Sequence, residues 1–169
     1  MYTSMRLPAA AAGLGLALAG LLVPGPAIAA TPACTNGALT ASYRHHDDGA
    51  GHSYGWIVLR NTSGHACHTG GYGGVSYVGD GNGTQIGAAA VRLPGTVATY
   101  VLQPGQRLRS PIDEARAANY PRSTCRPRHV DGFRVYVPNA TVSQYVVHPT
   151  VGCRNRHVTL IHQKPYRRP

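Results

Sequence analysis

The stretch HSYGWIVLRNTSGHACHTGGYGGVSYV, residues 52–78, decides the fold class of this chain. β-Branched and aromatic residues favour strands and fill residues 54–60 and 75–78, while Asn, Ser and Gly residues mark turns between these two runs. Cys67 lies between the runs and offers a covalent anchor for another part of the chain. The stretch therefore predicts two strands of an all-β domain that a disulfide stabilises.

Short strands with turn signals between them continue along the chain. Besides the two above, the predicted strands are 39–44, 85–92, 97–102, 107–112, 133–137, 141–147 and 157–162. Asp80-Gly81-Asn82-Gly83 predicts a hairpin turn, because Asn-Gly readily supplies two residues at positive φ. Pro111 predicts that the 107–112 strand lies at a sheet edge, because proline cannot donate to a ladder. One helical turn is expected within 113–118. Eight or nine strands spaced in this way predict an antiparallel β-sandwich.

Residues 1–30 have the pattern of a secretory signal peptide. A basic start is followed by an apolar run over 7–23, by Pro24-Gly25-Pro26 and by small residues up to Ala30. A membrane anchor is the alternative, but the apolar run is short of a full span and ends in helix breakers. We therefore expect an exported protein, secreted or associated with the cell envelope, that does not span a membrane after cleavage. Its parts would be a single sandwich domain over 31–162 and a basic tail over 163–169.

The predicted mature chain contains four cysteines, namely Cys34, Cys67, Cys125 and Cys153. An even number of cysteines in an exported protein indicates disulfides, and four cysteines permit three pairings. We favour Cys34–Cys67 and Cys125–Cys153, because this pairing ties the first strand to the central hairpin and closes the C-terminal strands on themselves. A zinc site is disfavoured, since the chain has no Cys-x-x-Cys pair.

The chain is strongly basic. Its formal net charge is +10, and Arg6 is the only charged residue in the predicted signal peptide, which leaves a net charge of about +9 on the rest. Such a field favours polyanions, so the expected partners are anionic cell-envelope polymers or another envelope protein, with no specific nucleic acid. Compositional bias is the alternative, because nearly all the basic residues are arginine. We expect Lys164, Arg167 and Arg168 to form an unburied polyanion-binding tail, since its prolines oppose regular structure.

One face of the 54–60 strand carries a candidate ligand surface. Because strand side chains alternate between faces, Tyr54, Trp56 and Arg60 share one side, and Ile57 and Leu59 share the other. The first side ends in a cation and is expected nearer to solvent, as an aromatic platform for a sugar ring or a partner's side chain. The alternative is that Trp56 lies in the core. The apolar character of both faces favours this alternative, because it indicates a central strand.

Other chemistry finds little support in the sequence. The nine histidines leave open a small-ligand or metal carrier that uses histidine-rich loops. No Gly-x-Ser-x-Gly elbow and no His-Glu-x-x-His motif occurs, and the six acidic residues are scattered. We therefore expect no catalytic residues and no cofactor, although an enzyme of unrecognised type stays a third possibility. The favoured function is a binding or structural module at the cell envelope with weak affinity for polyanions.

An ordered set of landmarks resembles a known family. Its first half consists of Cys34, Gly49-Ala50-Gly51-His52, Asn61-Thr62-Ser63-Gly64, Cys67, Gly70-Gly71-Tyr72 and Gly74-Val75. Its second half consists of Leu102-Gln103-Pro104-Gly105, Asn119-Tyr120-Pro121, Cys125-Arg126-Pro127, Gly132-Phe133-Arg134-Val135-Tyr136 and Cys153. In order and spacing this set is similar to an actinobacterial exported family, the domain of unknown function 4232, over nearly all of residues 34–160. Gly73 departs from the Pro that the family often has there. The resemblance implies an immunoglobulin-like sandwich with two disulfides, and it implies no reaction.

Overall fold

The computed structural model describes residues 30–169, so the predicted signal peptide lies, apart from Ala30, outside the described residues. Among residues 30–169, no helix has the length and apolar character needed to cross a membrane. The strands are β1 (Leu39–Gly49), β2 (His52–Asn61), β3 (Cys67–Gly70), β4 (Gly74–Gly79), β5 (Thr84–Ala89), β6 (Val91–Arg92), β7 (Thr99–Leu102), β8 (Arg107–Ala115), β9 (Pro127–Tyr136), β10 (Ser143–Cys153) and β11 (Ile161–Gln163). The helical elements are one turn of α-helix, α1 (Arg122–Cys125), and two 3-10 turns, Asn36–Ala38 and Ala117–Asn119.

The strands form two main sheets around one core. The five-stranded sheet has the order β1-β2-β8-β11-β6, the four-stranded sheet has the order β10-β9-β4-β5, and β3 pairs with β7. All pairings between named strands are antiparallel except that of β6 with β11. Core residues from both main sheets include Ile57, Leu59, Leu108, Ile112, Ile161, Val75, Tyr77, Phe133, Val135 and Val146. The predicted all-β sandwich is confirmed.

Alternation along β2 and β8 sets the two sides of the five-stranded sheet. On β2, Ile57 and Leu59 are fully buried, and the residues between and beside them are partly or largely exposed. On β8, Leu108 and Ile112 point into the core by the same alternation. Each strand therefore presents an apolar inner side and a polar outer side, and this agrees with the side assigned to Leu59 from the sequence.

Two disulfides fix the ends of the domain. Cys34 is bonded to Cys67 with their Cα atoms 4.9 Å apart, and Cys125 is bonded to Cys153 with theirs 4.6 Å apart. The first bond attaches the segment before β1 to β3, and the second attaches α1 to the end of β10. These are the pairs favoured from the sequence. Loops of 33 and 28 residues correspond to roughly 3–4 kcal/mol of stabilisation each in the chain-entropy model.

The prediction of an edge position for Pro111 is wrong, because β8 lies between β2 and β11. Pro111 is tolerated there because another donor satisfies the carbonyl that its missing N–H would have reached. The Lys164 backbone N–H donates to the Pro111 carbonyl at 3.0 Å. The Lys164 carbonyl, which an N–H at position 111 would reach, accepts instead from the Ser110 hydroxyl at 2.6 Å. The helical turn expected within 113–118 is also wrong in part, since β8 continues to Ala115 and the turn begins at Ala117.

The C-terminal segment is packed, which corrects the prediction of an unburied tail. Pro165 and Tyr166 are buried, and the ring of Tyr166 has no exposed surface. The Tyr166 N–H donates to the Gly71 carbonyl at 2.7 Å, and Arg167 pairs with Arg109 by two backbone hydrogen bonds. A methyl group on Gly73 would lie 3.2 Å from the Tyr166 ring. Gly73 therefore leaves room for the buried tyrosine, and this local packing outweighs the polar composition of the segment.

Candidate functional site

The outer side of the five-stranded sheet carries a cluster of cations. We call this cluster the basic face, and it consists of Arg44 on β1, Arg60 on β2, Arg107 and Arg109 on β8, and Lys164 and Arg167 in the C-terminal segment. The strand register places Arg44 opposite Trp56, and Trp56 opposite Pro111. Among residues 30–169, none of these six cations forms an ion pair with a carboxylate. The face is therefore a surface on which six cations lie free of ion pairs.

Trp56 lies at the centre of the basic face and is partly exposed, so the expectation that it is a core residue is wrong. Its ring stacks on the His46 ring with centroids 4.4 Å apart, and the Arg109 guanidinium lies 4.8 Å from its centroid. The inner side of β2 has no space for a further large residue beside Ile57. At Gly55 even a methyl group would lie 2.5 Å from the Tyr43 ring. The alternation of β2 consequently places the indole on the outer side.

A groove of about 370 Å³ runs beside Trp56. Its lining brings together four residues that the sequence assigned to two separate features, namely Tyr54 and Trp56 of the strand surface and Lys164 and Arg167 of the tail. Tyr54 is 37% exposed and contributes an accessible ring. The groove also contains Asp113, whose carboxylate is 2.5 Å from Nδ1 of His52. The two predicted features therefore form one surface.

Two of the predicted residues lie outside this groove. Arg60 is exposed near the end of β2, opposite Arg107, and extends the basic face beyond the groove. Arg168 projects to the other side, where it donates to the Val101 carbonyl at 3.0 Å and lies 5.7 Å from the Tyr100 ring centroid. The cation beside Trp56 is therefore Arg109 and not Arg60.

A second candidate site lies on the inner side of β8. Glu114 is the one buried charged residue among residues 30–169. Its carboxylate accepts from the Tyr43 hydroxyl at 3.0 Å and from the Tyr77 hydroxyl, and it lies 2.9 Å from Nε2 of His148. Because these partners come from both main sheets, the carboxylate connects the two layers of the sandwich.

Glu114 lines a cleft of about 800 Å³, which we call the Glu114 cleft. The cleft is also lined by Tyr77, His148, Ala115, Ala117, Ala118, Tyr120, Pro127, Pro149, Thr150 and Val151, and toward solvent by His45, Asp48, Ser53, Arg116 and Arg122. Aromatic rings pack behind it, where the His148 ring stacks on Phe133 with centroids 4.4 Å apart and lies tilted against Tyr43 with centroids 4.3 Å apart. An apolar wall thus surrounds a buried carboxylate.

Burial fixes the protonation of the two tyrosines that hold Glu114. Burial, together with the Glu114 charge, raises the pKa of Tyr77 well above its ordinary value of 10.0 and raises that of Tyr43 in the same direction. Both phenols therefore stay protonated and donate to the carboxylate at neutral pH. At the solvent end of the cleft, the hydrogen bond from Arg116 lowers the pKa of Asp48.

The histidines are dispersed around the molecule. His52, His129 and His148 each contact a different carboxylate, and His68 contacts the backbone carbonyl of Thr31. Within the part of the chain that the structure describes, no group of three or more His, Cys, Asp or Glu residues is placed to hold a metal ion. His46 and His162 nevertheless both line the groove beside Trp56.

The Glu114 cleft was not predicted from the sequence. Glu114 and His148 are 34 residues apart and form no local motif, and Asp113-Glu114 was assigned to a turn-like segment. The signal that could have found the site is the alternation of β8. When extended beyond 112, it places Glu114 on the same inner side as Leu108 and Ile112, and a carboxylate in that position requires partners.

Comparison with known proteins places the chain in a family without an assigned activity. No curated protein and no solved structure matches the chain. A family model described as Domain of unknown function (DUF4232) matches residues 34–162, from the first disulfide to β11, so the chain belongs to this family.

Proposed function

We propose that this protein is an exported, non-catalytic binding module that retains anionic polymers of the cell envelope on its basic face. The observation that carries the proposal is the presence of six cations on one side of the five-stranded sheet, none of them paired with a carboxylate among residues 30–169. Export is supported by the signal-like sequence of residues 1–30 and by two disulfides, which are typical of oxidising compartments.

The shape of the basic face suits a polymer better than a compact ligand. Neighbouring strands lie about 4.8 Å apart and alternate residues about 6.8 Å apart, so cations on one side of the sheet form an array with spacings of this order. Several anionic groups of one chain can contact such an array at once, and each further contact increases the overall affinity without a deep pocket. The exposed ring of Tyr54 adds a surface on which a sugar ring can pack.

Arg109 is the most constrained cation of the array. Its backbone is paired with Arg167 on one side, and its guanidinium lies over Trp56. Its Nε is buried and has no hydrogen-bond partner within the described chain. A guanidinium that is held over an aromatic ring in this way suits recognition of a phosphate or carboxylate group through its terminal nitrogens.

The groove also supports a binding role over a catalytic one. Its acidic residue, Asp113, is already paired with His52. No Ser, Thr or Cys side chain is among the residues that line the groove, so the His52–Asp113 pair has no adjacent aliphatic hydroxyl or thiol nucleophile there to activate.

The test is retention on immobilised heparin and on purified anionic wall polymer across a salt series. The variant Arg44→Glu/Arg107→Glu/Lys164→Glu reverses three exposed charges of the basic face. The matched control, Arg126→Glu/Arg154→Glu/Arg156→Glu, reverses three exposed arginines outside that face. We expect the first variant to elute at clearly lower salt than the control, which makes the same change in net charge. Equal elution of the two variants would show that binding is diffuse, and a wild-type protein that is not retained at low salt would refute the proposal.

A further inference from the structure

The carboxylate of Glu114 has no permanent cationic partner. Its ion-pair partner is His148, whose ring is positively charged only when protonated. No Arg or Lys of residues 30–169 forms an ion pair with Glu114, although this part of the chain is rich in arginine. The carboxylate is held mainly by neutral hydroxyl dipoles. A buried anion in this setting favours a cation that arrives from outside the chain.

The carboxylate also keeps unused acceptor capacity. Its two oxygens offer about four acceptor positions, and the protein fills three of them. Tyr43 donates to Oε1, and Tyr77 and His148 contact Oε2. One position on Oε1 is therefore left for a donor from a ligand, and Glu114 lines the cleft from which that donor would approach.

The walls of the Glu114 cleft suit a small organic molecule. The volume of about 800 Å³ lies within the range of small-molecule sites, about 300–1,000 Å³. The apolar part of the lining is supplied by Ala117, Tyr120, Pro149 and Val151, among others.

We propose that the Glu114 cleft binds a small organic ammonium compound, with its charged group on Glu114 and its alkyl part against the apolar walls. Arg122 at the solvent end is exposed and forms no ion pair within residues 30–169. It disfavours a long polycation and provides a partner for an acidic group at the far end of the ligand. The ligand is either a simple amine or an amino-acid-like zwitterion, and both carry the ammonium group that would bind Glu114.

The experiment follows backbone amide shifts of the disulfide-bonded protein by NMR during titration with n-butylammonium, 4-aminobutyrate and n-butanol. We expect saturable shifts at Ala115, Ala117, Tyr120 and Val151 with the two ammonium compounds, and none with n-butanol, which has a similar body and no charge. Tighter binding of 4-aminobutyrate would identify the zwitterion, and tighter binding of n-butylammonium the simple amine. The absence of saturable shifts with both ammonium compounds would overturn the proposal.

Two variants test the position of the site. Glu114→Gln keeps the size of the side chain and removes its charge, and it should weaken ammonium binding about tenfold or more. Asp113→Asn is the matched control on the opposite side of the same strand and should leave binding unchanged. Because substitution at a buried position can weaken the fold, Ala118→Trp provides a second test by filling the cleft from an exposed position. Binding that survives both Glu114→Gln and Ala118→Trp would refute the site. Retention on polyanions should be the same for Glu114→Gln and Ala118→Trp as for wild type, which separates this inference from the function proposed for the basic face.

Discussion

Asp113 and Glu114 are neighbours on β8, yet they belong to two different surfaces. The Asp113 side chain is 34% exposed in the groove of the basic face, and the Glu114 side chain is 5% exposed in the Glu114 cleft. Each carboxylate contacts a histidine, but Glu114 also accepts from two buried tyrosines. The comparison shows that strand alternation, more than residue type, decides whether a carboxylate of this domain lies on the surface or in the interior.

The same inner–outer contrast recurs in three other pairs of residues. Leu59 and Arg60 are neighbours on β2, and Tyr166 and Arg167 are neighbours in the C-terminal segment. In each pair the first side chain is buried and the second is exposed. Among the tyrosines, Tyr77 lies inside and Tyr54 outside. Substitutions at these matched positions test whether the two sides of the sandwich differ as strongly as the comparison requires.

The largest effect is expected on β2. Leu59→Asp should prevent folding, because Leu59 is fully buried and an unpaired carboxylate in the core costs several kcal/mol. Arg60→Asp, one residue away, should change the free energy of unfolding by no more than about 1 kcal/mol. Circular dichroism and urea unfolding of both variants give the comparison. Similar destabilisation by the two substitutions would contradict the assignment of inner and outer sides.

The next largest effect is expected in the C-terminal segment. Tyr166→Ala should destabilise the domain by about 3–5 kcal/mol, the range for removing a fully buried aromatic ring. Arg167→Ala should leave stability within about 0.5 kcal/mol and lower the salt concentration at which the protein leaves a heparin column. Thermal unfolding and salt elution are measured on both variants. An unchanged melting temperature for Tyr166→Ala would restore the interpretation of residues 163–169 as a free tail.

The neighbours on β8 should differ by a smaller amount. Glu114→Ala removes the acceptor of two buried hydroxyls and is expected to cost about 1–3 kcal/mol, measured by urea unfolding at pH 7. Asp113→Ala removes a half-exposed pair with His52 and should cost less than about 1 kcal/mol. Equal losses for the two variants would mean that the Glu114 hydrogen bonds contribute no more than a surface ion pair.

These contrasts also show which features of the fold could be predicted from the sequence. The strands of the central stretch, the hairpin at 80–83, the two disulfides and the inner position of Leu59 were predicted, because they depend on local alternation, turn chemistry or cysteine pairing. The burial of Tyr166 was not predicted. It depends on Gly73, about ninety residues earlier, which leaves space for the ring, and composition carries no information on that contact.

The candidate sites were predictable to different extents. The aromatic residues and the tail cations were each identified, but their convergence depends on β11 pairing with β8, which only the fold determines. The core position favoured for Trp56 was wrong because the strand is central in its sheet without being covered on both sides. The Glu114 cleft joins β1, β4, β8 and β10, and no single segment of sequence contains its pattern.

The smallest effect is a dependence of stability on alkaline pH. The folded-state pKa of Tyr77 is raised above 10.0 by burial and by the Glu114 charge, so the unfolded chain loses the phenol proton at lower pH than the folded protein does. The contribution of the Tyr77 phenol to the free energy of unfolding is therefore fully present below about pH 10. It falls above that pH by up to about 1.4 kcal/mol per pH unit.

Substitution of the inner and outer tyrosines isolates this contribution. Unfolding by urea between pH 8 and pH 11 should show a shallower alkaline loss for Tyr77→Phe than for wild type, because phenylalanine has no proton to lose. Tyr54→Phe, on the exposed ring of the basic face, should leave the wild-type slope unchanged. If the two variants follow the same alkaline slope, the Tyr77 hydroxyl is accessible to solvent, and the contrast between the interior and the basic face fails for the tyrosines.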